Sequence, residues 1–295
     1  MTLDRHRASG SLGESREGWS FTKSRLYLDC PRAFHLAREA NRSGINESGG
    51  AIPRHVINLS SLVGIAVHQS IADQIDRWVG GFQMSLREAQ SHASAWLTSV
   101  LGDSEHLVTE KANGLHINSG ILSKLTSSAK SRLHTFFLAA WPQFRGHEYV
   151  LHETLRSFCI QANRVWVKVD LCTKNPDGEF VITDWKTGRP SILQEDMLQM
   201  STYVLWAAAE FSIRASDVHV RLANLRTGEM ATHKVLTSHL AEATDRISRE
   251  CRMWSNWDSG GFLPLPEVQK CYSCRSLRMC NEGQEVTSAS AGRPA

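Results

Sequence analysis

No apolar run in this 295-residue chain approaches membrane-spanning length, and its first twenty residues are polar and charged. Neither a membrane anchor nor a secretory leader is therefore expected, and a reducing cytoplasm is the expected setting. No Gly-x-x-x-x-Gly-Lys-Ser/Thr loop occurs, which excludes an ATP-driven helicase of the P-loop kind. Internal repeats and long low-complexity tracts are missing as well. An excess of one charge is missing too: 33 Lys and Arg against 30 Asp and Glu leave a net +3. That balance supports nucleic-acid binding only weakly, although acidic site residues lower the total without forbidding a basic groove.

The length fits one large domain or two small ones. Residues 1–20 and 282–295, rich in Ser, Gly, Arg and Glu with few large apolar residues, read as disordered tails around a single domain at 21–281. A helix is expected at about 22–39, capped by Ser20 or Thr22, then a loop at 41–60. Helices at about 62–79, 85–101 and 121–140 would form an all-helical insertion over about 61–140. Strands follow at about 148–158, 164–171 and 179–186, a helix at 192–211, strands at 218–225 and 229–235, and a last helix at 238–257. Strands joined by a helical crossover argue an α/β architecture with a mixed central sheet, its core at about 147–236.

The most informative stretch lies in those strands. In Arg164–Leu171, Val165, Val167, Val169 and Leu171 alternate with Trp166, Lys168 and Asp170, which puts Lys168 and Asp170 on one strand face. Asn175-Pro176-Asp177-Gly178 is a strong turn, so Glu179–Lys186 should return antiparallel with Asp184 and Lys186 on one face. Two carboxylates at neighbouring strand ends suit Mg²⁺ or Mn²⁺, hard cations that take oxygen ligands. A lysine beside them can position or deprotonate an attacking water and offset charge in phosphodiester cleavage. A surface hairpin with an ordinary ion pair is the plain alternative for any Asp-x-Lys.

Together with Thr187 and Gly188, these residues resemble the core of the PD-(D/E)XK nuclease superfamily in its RecB-like branch, whose motifs are an aspartate and then Asp-x-Lys-Thr-Gly. Gln199 and Tyr203, four apart on a helix face, resemble that branch's Gln-x-x-x-Tyr motif. Gly64 to His68 resembles its Gly-x-x-x-His helix. The resemblance implies that Asp170 and Asp184 bind one or two divalent ions, with Glu153 and His68 completing the shell and Glu148 as a competitor to Glu153. On spacing alone His68 is also a satisfied core histidine on an apolar stripe. The resemblance further implies that Lys186 acts on the water, with Gln199 and Tyr203 positioning Lys186 and the phosphate. One departure is Lys168, where the branch has a glycine. By alternation it faces the way Asp170 does, and would contact the scissile strand's phosphate or crowd the site.

Seven cysteines are present: Cys30, Cys159, Cys172, Cys251, Cys271, Cys274 and Cys280. Clustered cysteines in a reducing compartment indicate metal more than disulfides. One cysteine opening the domain and Cys271-x-x-Cys274-x5-Cys280 closing it resemble the 4Fe–4S nucleases, the CRISPR-associated RecB-like exonucleases and AddB-type nuclease domains. The resemblance implies a four-cysteine cluster of Cys30, Cys271, Cys274 and Cys280 that ties the two ends together; the same residues could build a structural Zn²⁺ site. Cys159, Cys172 and Cys251 read as buried or incidental thiols.

Arg25, Arg32, Lys168, Arg189 and Arg275 are candidate contacts to a DNA backbone, Arg189 foremost because it follows the Lys-Thr-Gly turn. Trp185 or Trp206 could stack on unpaired bases, most tryptophans being core. The expectation is a metal-dependent DNA exonuclease acting on single-stranded DNA or overhangs, in repair, recombination or CRISPR adaptation. The alternatives are a non-catalytic DNA-binding or docking subunit of a helicase–nuclease or CRISPR integrase complex, and a restriction-like endonuclease.

Overall fold

The computed structural model describes residues 18–43, 57–102, 108–114, 116–188, 193–256 and 262–291. It opens with β1 (Trp19–Ser20) and α1 (Phe21–Asp29), whose first turn is capped by Ser20: the Lys23 N–H donates to Ser20 Oγ at 3.3 Å. A second helix, α2 (Pro31–Ser43), follows at once, so the single helix expected at 22–39 is two. Proline has no N–H and disfavours helical backbone in the residue before it. Cys30 is accordingly extended, at φ −165° and ψ 105°, and sits in the elbow.

The helical insertion comprises α3 (Leu59–Val79), α4 (Leu86–Gly102), the single turn α5 (Thr109–Ala112) and α6 (Ser119–Thr135). The last was expected to run to residue 140. Its α geometry stops at Thr135 and loosens into a π turn over Phe136–Ala140 and a 3₁₀ turn over Trp141–Phe144.

Next come β2 (Glu148–Ile160), β3 (Asn163–Lys174) and β4 (Phe180–Lys186). The hairpin between β3 and β4 closes as the turn chemistry requires. Asn175 Oδ1 accepts from the backbone N–H of Asp177 and Glu179, and Gly178 takes φ +82°. Then α7 (Leu193–Phe211) crosses over to β5 (Val218–Asn224), β6 (Met230–His233) pairs back, and α8 (Thr237–Asn256), α9 (Val268–Tyr272) and α10 (Asn281–Ala291) end the fold.

The sheet is mixed, in the order β1-β3-β4-β5-β6, with β2 on the other edge of β3. β1 joins β3 and β5 joins β4 in parallel, and the remaining pairs are antiparallel. Leu62, Ala66, Ile71, Leu97, Leu133 and Phe136 of the insertion pack against Leu171 and Trp185. A separate cluster joins Met200, Tyr203, Val204 and Trp206 of α7 to Val167, Val169, Ile182 and Val220. The sheet is thus held between two helical layers.

Two segments read as tails contain ordered structure. Trp19 is fully buried and its Nε1 donates to Glu250 Oε2 at 2.6 Å, which anchors the chain from residue 18 onward. Residues 1–17 and 292–295 lie outside the described residues. The helix Asn281–Ala291 buries Gly283 and Thr287 rather than large apolar side chains, which is why its composition resembled a tail.

Candidate active site

The site forms where β3 loses a strand neighbour. On one edge, β1 pairs with Val165 and Trp166 and β4 pairs with Leu171–Lys174. Among the described residues no strand covers that edge between Val167 and Asp170. Groups from β4 and α7 fill the gap. The Trp185 N–H donates to Asp170 Oδ2 at 2.9 Å. The Tyr203 hydroxyl shares its proton between Asp184 Oδ1 at 2.9 Å and the Lys168 carbonyl at 3.2 Å. Backbone groups that a strand would have paired are thereby satisfied by side chains of the site.

His68, Glu153 and Asp170 bring one donor atom each within 4.8 Å of one another, the only such group among the described residues. His68 owes its position to Gly64, one turn earlier on α3. A Cβ there would stand 3.2 Å from Thr187 Oγ1, so glycine lets the helix close on the Lys-Thr-Gly turn. His68 Nε2 donates to the Trp185 carbonyl at 3.1 Å, which turns Nδ1 toward Glu153 Oε1 at 3.2 Å and Asp170 Oδ1 at 3.5 Å. Glu153 lies between the register pairs His152–Leu171 and Thr154–Val169, opposite Asp170. Its φ of +43° is left-handed, a conformation a glutamate in a strand adopts only under strain. Glu148 pairs with Lys174 near the start of β2 and does not join the group.

The second half is built around Lys186. Its Nζ donates to Gln199 Oε1 at 2.6 Å and lies 2.8 Å from Asp184 Oδ2 and 3.6 Å from Asp196 Oδ1. Gln199 Nε2 donates to Asp184 Oδ1 at 3.0 Å and to the Tyr203 hydroxyl at 2.8 Å. Asp184 Oδ2 is buried, with the Lys186 ammonium against it.

The charges follow from this packing. Burial lowers the His68 pKa, but Asp170 and Glu153 outweigh it and hold the imidazole well above its usual value. Burial raises Asp170, with His68 opposing and Asp184 adding its negative charge. Burial works to raise Glu153, but His68 and Lys168 carry it below the ordinary carboxylate range. For Lys186 burial works downward, and the carboxylates of Asp184, Asp196 and Asp170 raise it nonetheless. Burial, then Asp184 and Asp170, push Tyr203 far up, so its hydroxyl stays neutral. The donor set of imidazole and carboxylate oxygens in the His68, Glu153 and Asp170 group fits a hard divalent cation.

Both halves open into one cavity of about 570 Å³. Sequence reasoning missed part of its lining: Ser20–Lys23 from the start of α1, Leu155 from β2, and Trp166. It also missed Asp196, although Asp196, Gln199 and Tyr203 share a helix face at the spacing i, i+3, i+7. Lys168 does share the face of Asp170, and its ammonium is ion-paired with Glu153. Trp185 and Trp206 are 2% and 0% exposed, so neither can stack on a base. Arg25 pairs with Glu195 and Arg32 with Glu282, whereas Arg189 lies outside the described residues.

The structure does not show the expected four-cysteine metal group: among the described residues no three cysteine sulfurs lie within the 4.8 Å that unites the donors of His68, Glu153 and Asp170. The cysteines are nevertheless neighbours. The Cys274 thiol is pushed up to about 11, by burial first and then by Cys30, Cys271 and Cys280, against a backbone hydrogen bond from Ser276. A Cβ on Gly283 would stand 3.5 Å from the sulfurs of both Cys271 and Cys280. Asn113 Nδ2 fastens the loop by donating to the Tyr272 and Cys274 carbonyls at 2.9 and 3.1 Å. Of the other thiols Cys172 is buried, Cys251 half-buried and Cys159 exposed.

The family model of the PD-(D/E)XK nuclease superfamily matches residues 18–281. The chain belongs to this superfamily. Among solved structures, a Eubacterium rectale protein described as a candidate exonuclease superposes with a TM-score of 0.52 at 11% identity, over 99% of this chain and 100% of that one. At that identity the likeness concerns the fold. The structure of SSO0001 reaches a TM-score of 0.29 at 15% identity, over 88% of this chain and 96% of that one, and carries no argument. No curated protein matches the chain. The fold surrounds an acidic centre with a lysine, and no helix among the described residues is long and apolar enough to cross a membrane.

Proposed function

We propose that this nuclease is a divalent-metal-dependent DNA exonuclease of the RecB-like branch, acting on single-stranded DNA or single-stranded overhangs. The observation that carries the reading is the placing of Lys186 against Asp184 and Gln199, beside the His68–Glu153–Asp170 group. His68, Glu153, Asp170 and Asp184 would hold Mg²⁺ or Mn²⁺. Bound there, the ion supplies a Lewis acid that polarises a phosphoryl oxygen and acidifies a water.

The chain's own residues do the rest. Lys186, raised in pKa by three carboxylates, remains an ammonium and serves as a donor that orients the attacking water and offsets charge on the phosphate. Gln199 fixes the lysine by accepting from it while donating to Asp184. Tyr203 holds Asp184 Oδ1, while Oδ2 lies against the Lys186 ammonium.

Cys30, Cys271, Cys274 and Cys280 hold a 4Fe–4S cluster in this reading. What supports a cluster over a four-thiolate zinc site is the resemblance of Cys30 with Cys271-x-x-Cys274-x5-Cys280 to the 4Fe–4S nucleases, since the same residues could build either. The cluster joins α1–α2 to the end of the domain and takes no part in hydrolysis.

The reading is tested with end-labelled linear single strands and a closed single-stranded circle, with Mg²⁺ or Mn²⁺ and with EDTA. Metal-dependent loss of the linear strand alone is expected. Cutting of the circle makes the enzyme an endonuclease, and binding without cleavage makes it a docking subunit.

A further inference from the structure

We propose that Trp166 is a base-stacking subsite, the end of a track along β3 that leads a single strand into the metal centre. Arg164, Trp166, Lys168 and Asp170 alternate with Val165, Val167 and Val169. The valines are buried, Arg164 and Lys168 are exposed, and Trp166 is half-buried. On β2 the register sets Ser157 beside Trp166 and Leu155 beside Lys168, with Glu153 opposite Asp170. One sheet face therefore carries, in order, an aromatic ring, a cation and the acidic centre. Trp166, Leu155, Lys168 and Asp170 line the same cavity.

Four residues of strand span ~13 Å. The ring consequently meets a base roughly two to four nucleotides from the phosphate at Asp170, the exact step depending on how far the strand stretches beyond the ~3.4 Å rise of stacked DNA. The cavity volume is that of a small-ligand pocket. Arg164 places its guanidinium over the indole, 5.9 Å from the ring centroid, so a planar cation already uses that surface. An exposed cation–π contact is weaker than a base–aromatic stack, so a base displaces the guanidinium, which is then free to meet a phosphate. Stacking needs an unpaired base, and this favours single strands over duplex ends.

The subsite rests on the reading of the cavity as a nucleic-acid site, but the two fail separately. In the Lys186→Ala background, binding of a fluorescent single-stranded oligonucleotide with Mg²⁺ is followed by anisotropy while one abasic residue is moved through the nucleotides nearest each end. One position is expected where the missing base weakens binding about 5- to 150-fold, the worth of one stack. Trp166→Leu, which keeps an apolar side chain on that strand face, should erase that penalty, and Trp166→Phe should restore part of it. The same penalty profile in the Leu variant as in its parent, or no sensitive position at all, overturns the subsite. Wild type that cuts nothing yet shows the Trp166-dependent penalty keeps the subsite and removes the nuclease.

Discussion

Gln199 holds Lys186 in place: its Oε1 accepts from the lysine ammonium at 2.6 Å, while its Nε2 donates to Asp184 at 3.0 Å. The amide ties the lysine to the aspartate that shares its strand face. Lys186→Ala should lower cleavage by at least about a hundredfold, the scale for losing a donor to developing charge. Gln199→Ala keeps the lysine but frees its rotamer, so a loss of about 10- to 100-fold is expected, as for groups that orient a metal site. Single-turnover rates at saturating DNA measure both. A Gln199→Ala loss equal to that of Lys186→Ala would give the glutamine a direct part in the chemistry.

Glu153 holds its carboxylate in the centre from a left-handed backbone, at φ +43°. For a residue with a Cβ that conformation costs about 1–2 kcal/mol, and glycine escapes it. Glu153→Gly should therefore be more stable than Glu153→Ala by about 1 kcal/mol, although glycine weakens an ordinary strand. Both variants should lose metal-dependent activity. Urea denaturation of the two gives the order, and Ala above Gly would show that the strand bears no strain there.

Lys168 stands where the branch it resembles has glycine, and its ammonium meets Glu153. The metal must share that carboxylate with a cation already present. The side chain is 57% exposed, so water and salt weaken the pair. Lys168→Ala should lower the Mn²⁺ concentration at half-saturation about two- to fivefold, read by calorimetric titration without DNA. A higher requirement in the variant would mean that Lys168 supports the metal site instead of competing with it.

The part of the site that lies within one hairpin was legible in the sequence. Alternation gives Lys168 with Asp170, Asn175–Gly178 gives the turn, and the spacing of Gln199 and Tyr203 gives a shared helix face. What needed three dimensions was the missing strand neighbour along Val167–Asp170. It exists because β1, far away in sequence, takes one half of the edge and β4 the other. The same cause hid Ser20–Lys23, whose place in the cavity follows from the pairing of Ser20 with Trp166. Composition misjudged both ends, because Trp19 anchors one by a single side chain and the helix Asn281–Ala291 packs through Gly283 and Thr287.

Gly283 brings the last helix against the cysteine loop, with the sulfurs of Cys271 and Cys280 each 3.5 Å from where its Cβ would be. If those thiols and Cys30 share a cluster, it closes a loop from the first helical pair to the end of the domain, worth roughly 5 kcal/mol of chain entropy. Protein purified without oxygen should be coloured and contain iron and sulfide in equal amounts. Cys274→Ala should lose both, with a fall in thermal stability. Cys159→Ser should keep them, because that exposed thiol stands on β2 beside Arg164. Zinc in place of iron in the wild type would make the group a simple structural site, and a colourless Cys274→Ala variant as stable as wild type would leave the two ends of the domain held by packing alone.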